Sequence, residues 1–285
     1  MRYEPHREHR GDVFRWRLGI RPLDIAEWFI FDEHYEFELK QKQILTKQNP
    51  HTVFAAIQNI EDEIDEVTHS IRDHLSTHHA EKFHHVQLDS SLNQLAAIAL
   101  HVHEDLVLMV ERDGRLIFGA GSVHFPNRWD LRSKLGLTMR EVHAPVASLN
   151  TQLEPAIDDF LTRLSSDKPV WRLGWGVIDS KDLYQPTDGT ASPRPLNATP
   201  AEHYLRVERE TLTRFPLTNC VLFTIRTFLT PLTDIARNSE SALALADALD
   251  AMPDDIAEYK QLSDTGSLIA AWLRNQRNAL LRDQY

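Results

Sequence analysis

Cysteine occurs once in 285 residues, at Cys220 within the apolar stretch NCVLFTI. One thiol closes no intrachain disulfide and builds no multi-thiolate metal centre, so a reducing compartment is expected and Cys220 reads as a core residue. Long apolar runs are also missing. None approaches the roughly 18 residues that span a bilayer, and the first residues, MRYEPHREHRGD, are charged where a signal peptide would be apolar. A cytoplasmic protein without a membrane partner is expected. Positive charge is in deficit, 31 Lys and Arg against 42 Asp and Glu, giving a formal charge of −11, which argues against nucleic acid as a partner. No Gly-x-Gly-x-x-Gly follows a strand, and no Walker loop, zincin helix or Gly-x-Ser-x-Gly elbow occurs. The chain therefore has no such route to a nicotinamide or flavin of its own.

What is present is apolar material, 42 % of residues, enough for a sizeable core. It falls in helix-period blocks towards both ends and strand-period blocks between them. Phe14, Trp16, Leu18 and Ile20 alternate with Arg15, Arg17 and Gly19 as a half-buried strand does. Asp24 can cap a short helix carrying Ile25, Trp28 and Phe29, and a second helix is expected from Asp32 to about Lys47. Val53, Ile57, Ile60, Ile64, Val67 and Ile71 recur at spacings of three and four, which predicts one long amphipathic helix over Thr52 to His79. Leu92 to Leu100 reads as a short helix.

Leu106 to Val110 and Leu116 to Ala120 flank Glu111-Arg-Asp-Gly114, a strong hairpin signal. Asp130 can cap a short helix from Leu131 to Leu135 that Gly136 terminates. Leu153 to Leu164 reads as a helix, Val170 to Ile178 as a strand bearing Trp171 and Trp175, and Thr187 to Pro200 as a Pro-rich loop. Tyr204 to Leu212 and Cys220 to Phe228 give two more strands, and the tail from Asp234 is helical with a break at Pro253. These blocks make a single-domain α+β protein, 1–285, with a mostly antiparallel sheet. A helical shoulder (13–94) precedes the core (95–235), and a C-terminal helical cap (236–285) follows it.

Four groups could carry chemistry. His143 stands two residues before Pro145, and Ala144, directly ahead of the proline, is pushed toward extended backbone that holds the imidazole's direction. That suits a metal or heme ligand and equally an ordinary buried histidine. His69, His74, His78, His79, His84 and His85 crowd one helix end, where His74 and His78 have chelating spacing, but no carboxylate or cysteine completes a set; a solvated helix end is expected. His101 and His103 face one way on an expected strand, as a surface pair. Arg206 and Glu208 share one strand face, Arg209 lies on the other, and Arg226 sits inside the apolar FTIRTF run, where it needs Glu208, a bound anion or the solvated face of an edge strand.

The segments VFRWRLGIRPLDIAEWF (Val13 to Phe29), HEDLVLM (His103 to Met109), SVHFPNRWDLRSKLG (Ser122 to Gly136), VHAPV (Val142 to Val146) and YLRVERETLTRFP with VLFTIRTFLTPL (Tyr204 to Leu232) resemble the heme-dependent oxidative N-demethylase alpha-subunit-like family. The resemblance covers most of the chain. It implies a sensor-like PAS core at about 95–235, a bound heme b, and His143, matching the family's His-x-Pro motif, as the axial metal ligand. It also implies Arg172, Arg206, Arg209 and Arg226 as cofactor-binding residues and His124, Trp175 and Glu208 as catalytic ones. Three positions depart from the family pattern: His124 stands where Cys is usual, Gly174 where Asn is usual and Glu210 where Gln is usual. The activity implied is oxidation of an N-methyl group of a small secondary amine, dimethylamine-like, by dioxygen with release of formaldehyde. Electrons are expected from partner reductase subunits that handle NADPH, flavin and an iron–sulfur centre. A heme-binding sensor or carrier on the same fold, and a cofactor-free interaction protein, are the competing classes.

Overall fold

The computed structural model describes residues 3–9, 18–83, 87–142, 157, 159–187 and 198–282. The expected hairpin is its pivot. Asp113 and Gly114 take φ of 51° and 73°, the pair of left-handed residues that a two-residue turn needs to match strand twist. They join β3 (Asp105–Arg112) to β4 (Arg115–Ser122). β5 (Val170–Ile178), β6 (Tyr204–Arg214) and β7 (Val221–Pro231) complete the long strands, and β7 pairs back onto β3, from Asp105 opposite Ile225 to Met109 opposite Val221. Two short strands from the N-terminal part, β1 (Arg21–Pro22) and β2 (Phe54–Ala56), close the edges. The result is one seven-stranded antiparallel sheet in the order β1-β5-β6-β7-β3-β4-β2. Flanked by helices, it is an α+β architecture, as expected.

One expectation fails at β2. Thr52 to His79 is not a single helix: α1 (Tyr35–Gln48) is followed by a one-turn α2 (Pro50–Val53), then β2, then α3 (Glu61–His78). The apolar spacing is real on both sides of the break. Between them, however, Phe54, Ala55 and Ala56 pair with Ser122, Gly121 and Ala120 of β4. The ladder is extended by Val123 N to Val53 O at 2.8 Å and Ile57 N to Gly119 O at 2.8 Å. A free sheet edge offers these backbone groups partners that a helix-period count cannot see.

Successive side chains on a strand point to opposite faces, and the two faces here have different covers. Ile64, Val67, Ile71 and Leu75 of α3, with Leu95 and Ile98 of α4 (Gln94–Ala99), pack on Leu106, Leu108, Val110 and Leu222. The shoulder's apolar stripe thus covers the sheet, each such side chain contributing about 1.5–3 kcal/mol by its burial. Farther along the same face, Leu232, Ile235, Leu245, Ile269 and Leu273 of the C-terminal helices pack on Val177, Leu205 and Val207. The opposite face presents Val107, Met109, Leu212 and Val221 to Leu131, Leu161 and Leu164. Leu131 belongs to the expected short turn of helix, Leu131–Lys134, capped by Asp130, whose side chain accepts from Arg132 N at 2.9 Å. The strand expected around Phe14, the start of the Leu153 to Leu164 helix and most of the Pro-rich loop lie outside the described residues.

Candidate functional site

Two charge networks meet on the sheet, one under α1 and one across β5 and β6; Arg226 lies on one face and Arg206 on the other, and Asp105 shares the face of Arg206 and links them. The first forms where α1 crosses the ends of β3 and β7. On α1, Tyr35, Glu38, Leu39 and Lys42 are all buried, because spacings of three and four put them on one side of the helix. Lys42 Nζ donates to the carbonyls of Ala99, Val102 and Glu104 at 3.2, 3.0 and 2.6 Å and lies 3.9 Å from Asp105 Oδ1. Asp105 in turn accepts from the backbone N–H of His124 at 2.8 Å and of Phe125 at 2.9 Å. Burial pulls the Lys42 ammonium down to about 8 against the pull of Asp105, and pushes the Asp105 carboxyl up to about 6 against Lys42 and those two N–H groups.

Arg226 completes this network from β7. Its guanidinium donates to Glu38 Oε2, Asp32 Oδ2 and Thr227 O, and His103 Nδ1 sits 2.6 Å from the same Glu38 oxygen. Burial raises the Asp32 carboxyl, but the charge and hydrogen bond of Arg226 outweigh it and hold the group below its ordinary value. The expected partner Glu208 is one strand away and on the other face, since Glu208 pairs in register with Thr227. Arg226 therefore pairs with Glu38 and Asp32 and not with Glu208, and its buried Nε has no hydrogen-bond partner among the described residues. His103 is likewise no surface residue: it precedes β3 in a turn and is 1 % exposed beneath α1. A cavity of about 910 Å³ opens beside this network, with Asp32, Glu38, Arg226, Phe37, Ile44 and Phe228 in its walls.

The second network lies across β5 and β6, on the face opposite Arg226 and shared with Asp105. Arg172 is opposite Glu210, Gly174 opposite Glu208 and Gly176 opposite Arg206. Arg172 Nε is 3.0 Å from Glu210 Oε2, and Arg206 Nε donates to Glu208 Oε1 at 2.8 Å. Arg206 also donates through Nη2 to Phe125 O at 2.7 Å and Thr227 Oγ1 at 3.1 Å. Its Nη1 is buried and has no partner among the described residues. Burial raises the Glu210 carboxyl, opposed by Arg172 and Lys260. Lys260 reaches over from the end of the Asp254–Tyr259 helix and gives its Nζ to Trp175 O at 2.6 Å.

The remaining expected residues separate. His124 is 1 % exposed, its Nε2 2.9 Å from Thr46 Oγ1, and burial together with the Lys42 charge keeps it well below the ordinary imidazole value and so neutral. Trp175 points to the face opposite Arg172 and Glu208 and packs with the C-terminal helices. Arg209, on that same face, donates to Glu27 O at 2.7 Å and stacks over Trp171 at 5.5 Å. His143 lies outside the described residues. Of the histidine-rich helix end, His74 is a core residue, not solvated: it is 6 % exposed with its ring 5.2 Å from Trp28, and among the described residues no three His, Cys, Asp or Glu side chains form a metal-holding group. Lys42, Glu38, Asp32 and Asp105 were not anticipated. The signal for two of them was there, charged residues spaced with Tyr35 and Leu39 on the apolar side of α1.

A flanked antiparallel sheet with buried ionic side chains on central strands defines an α+β protein built to hold charge inside, a costly arrangement in a sheet that serves only as scaffold. The chain belongs to the family "Haem-dependent oxidative N-demethylase, alpha subunit-like", whose model matches residues 19–270. It is thus a member of a heme-dependent oxidative class. Among the described residues no helix is long and apolar enough to cross a membrane.

Proposed function

We propose that this chain is the heme-carrying subunit of an oxidative N-demethylase acting on a small secondary amine such as dimethylamine. The five long strands all fall between Asp105 and Pro231, which supports the reading of 95–235 as a PAS-like core between a helical shoulder and a helical cap. The observation that carries the cofactor assignment is Arg206, 1 % exposed with Nη1 unpartnered among the described residues. A buried guanidinium N–H without an acceptor fits a carboxylate such as a heme propionate. Arg172, on the same face and partly exposed, is the second cation for it. Arg209 and Arg226, engaged on the opposite face, are scaffold in this reading, and Trp175 supplies a backbone acceptor and packing. His143 would hold the heme iron, and His124, neutral and enclosed, holds the turn that also places the Phe125 carbonyl against Arg206.

When bound, heme supplies dioxygen activation. The amine's N-methyl carbon gives up two electrons and leaves as formaldehyde, and two further electrons from the partner reductase subunits, with two protons, complete reduction of one dioxygen to one water and the aldehyde oxygen. Glu208, beside Arg206, is the chain's own acid facing that chemistry. The deciding experiment is the absorption spectrum of protein supplied with heme, followed by formaldehyde measurement with dimethylamine and reductant. A Soret band that is lost in His143→Ala, weakened in Arg206→Gln and kept in His124→Ala is expected. Absence of any Soret band after reconstitution overturns the heme assignment. A band without amine-dependent formaldehyde turns the protein into a heme sensor or carrier.

A further inference from the structure

We propose that Asp105 is a positioning residue for the acid-binding Arg206: through Phe125 it fixes the guanidinium, and a proton exchanged between Asp105 and His124 sets how strongly the free Nη1 holds an anion. The assignment rests on the reading of Arg206 as the group that takes a heme carboxylate. Asp105 opens β3, is buried and shares the face of Arg206. Its Oδ1 accepts from His124 N at 2.8 Å and its Oδ2 from Phe125 N at 2.9 Å, while the Phe125 carbonyl accepts from Arg206 Nη2 at 2.7 Å. One residue thus ties the acid to the arginine, and Pro126 directly after it narrows that residue's backbone freedom. Arg206 spends its Nε–H on Glu208 and its Nη2 hydrogens on Phe125 O and Thr227 Oγ1. A guanidinium is planar. With those two nitrogens held, the direction of Nη1, which has no partner among the described residues, is fixed as well.

The proton has a route. His124 Nε2 is 2.9 Å from the hydroxyl of half-buried Thr46, and its Nδ1, buried and without a hydrogen-bond partner among the described residues, is 3.9 Å from Asp105 Oδ1. Burial and the Lys42 charge keep the ring neutral, so it carries one N–H and one lone pair. With Asp105 ionised, Nδ1 holds its N–H toward the carboxylate and Nε2 accepts from Thr46. When a proton enters at Nε2 from the Thr46 side, the Nδ1 proton passes to Asp105 Oδ1 and Thr46 turns its hydroxyl to accept. The ring ends neutral in the other tautomer and the acid ends uncharged. The transfer needs the two side chains to close from 3.9 Å to hydrogen-bond distance. The groups facing Asp105 are Lys42 from α1, His124 from the turn after β4 and Arg206 from β6; Glu104, beside it in sequence, turns its carboxylate to Ile30 N, and Lys42 in turn feels Glu38 and Arg226. Burial already places Asp105 at about 6. An ionised Asp105 competes for Arg206 with an anion at Nη1 and an uncharged one does not, so anion binding and proton uptake favour each other.

The test compares hemin with hemin dimethyl ester, whose carboxylates are blocked, as ligands of the full heme-free chain from pH 5 to 8. The ratio of the two affinities cancels what the iron ligand and the porphyrin contribute. It should fall about fivefold as pH rises through about 6, lie flat in Asp105→Asn and be lost in Arg206→Gln, each variant checked for an unchanged far-UV spectrum. A residue that only held the turn would lower the ratio in Asp105→Asn without changing its pH slope; that result, or a flat wild-type ratio, overturns the proposal. In parallel, nitrogen NMR shifts of His124 in histidine-labelled protein should report Nδ1–H at the upper end of this range and Nε2–H at the lower, with the change moved to higher pH by added sodium propionate. A single tautomer throughout overturns the proposal whether or not heme binds. If neither porphyrin binds while propionate moves the His124 titration, the linkage stands and the heme reading fails.

Discussion

Arg226 Nη1 donates to Glu38 Oε2 at 2.7 Å, joining β7 to α1 across 188 residues of sequence. The arginine is 1 % exposed, so the pair fixes how α1 sits on the sheet. Removing one member leaves the other charged and buried, which costs about 3–5 kcal/mol. Arg226→Leu should lower unfolding free energy by that amount in urea melts. Because Arg226 and Arg206 are on opposite faces, heme content per folded molecule should stay at the wild-type level; a selective loss of heme in fully folded Arg226→Leu would return this arginine to the cofactor site.

Lys42 is the second brace. Its ammonium satisfies three carbonyls and stands 3.9 Å from Asp105. Lys42→Met keeps the length of the side chain and deletes every donor, so an expected loss of about 3 kcal/mol reports the stranded carbonyls and Asp105. Asp105→Asn should cost less, about 1–3 kcal/mol, because the amide oxygen still accepts from one of the two N–H groups of His124 and Phe125. Chemical denaturation of the two variants side by side checks the ranking.

Acid should loosen the structure through its buried histidines. Burial lowers His6, whose Nε2 is 2.9 Å from Ser241 Oγ, to about 4, and lowers His74, among Trp28 and Phe29, to about 3. In both the folded value is below the unfolded 6.5, so the unfolded chain binds more protons between the two. Stability is then fully present above about 6.5 and falls as pH drops toward 4. Thermal midpoints measured from pH 7.5 to 4.5 should decline, and His6→Gln should flatten part of that slope; an unchanged slope would show that His6 does not titrate with unfolding.

Gly121 tests how tightly β4 meets the short helix below it. A Cβ there would lie 2.5 Å from Leu131 Cδ1, and Leu131 is itself 2 % exposed with little room to retreat. Gly121→Ala should cost about 1–3 kcal/mol by overpacking. Coupling with Leu131→Val, which shortens the opposing side chain, should recover part of the loss in a double-mutant cycle.

Local chemistry was enough for several elements. Asp113-Gly114 carries its own turn, because few residues other than glycine, Asn and Asp tolerate positive φ, and Val170–Ile178 was delimited correctly by composition. The α3 stripe of Ile64, Val67 and Ile71 and the order of motifs that places the chain in its family are also properties of the sequence alone. The split between the two charge networks is not. Strand parity puts Arg206 with Glu208 and separates them from Arg226, yet which face lies under α1 is decided by the packing of residues far apart in the chain, Glu38 and Arg226 among them. Phe54–Ala56 became a strand because β4 had an unpaired edge, and the Glu210 carboxylate can lie over Gly174 only because β5 and β6 bring a glycine opposite one glutamate and diagonal to another. Such features are made by pairs of segments, and their energy has no local expression for a periodicity or a motif to record.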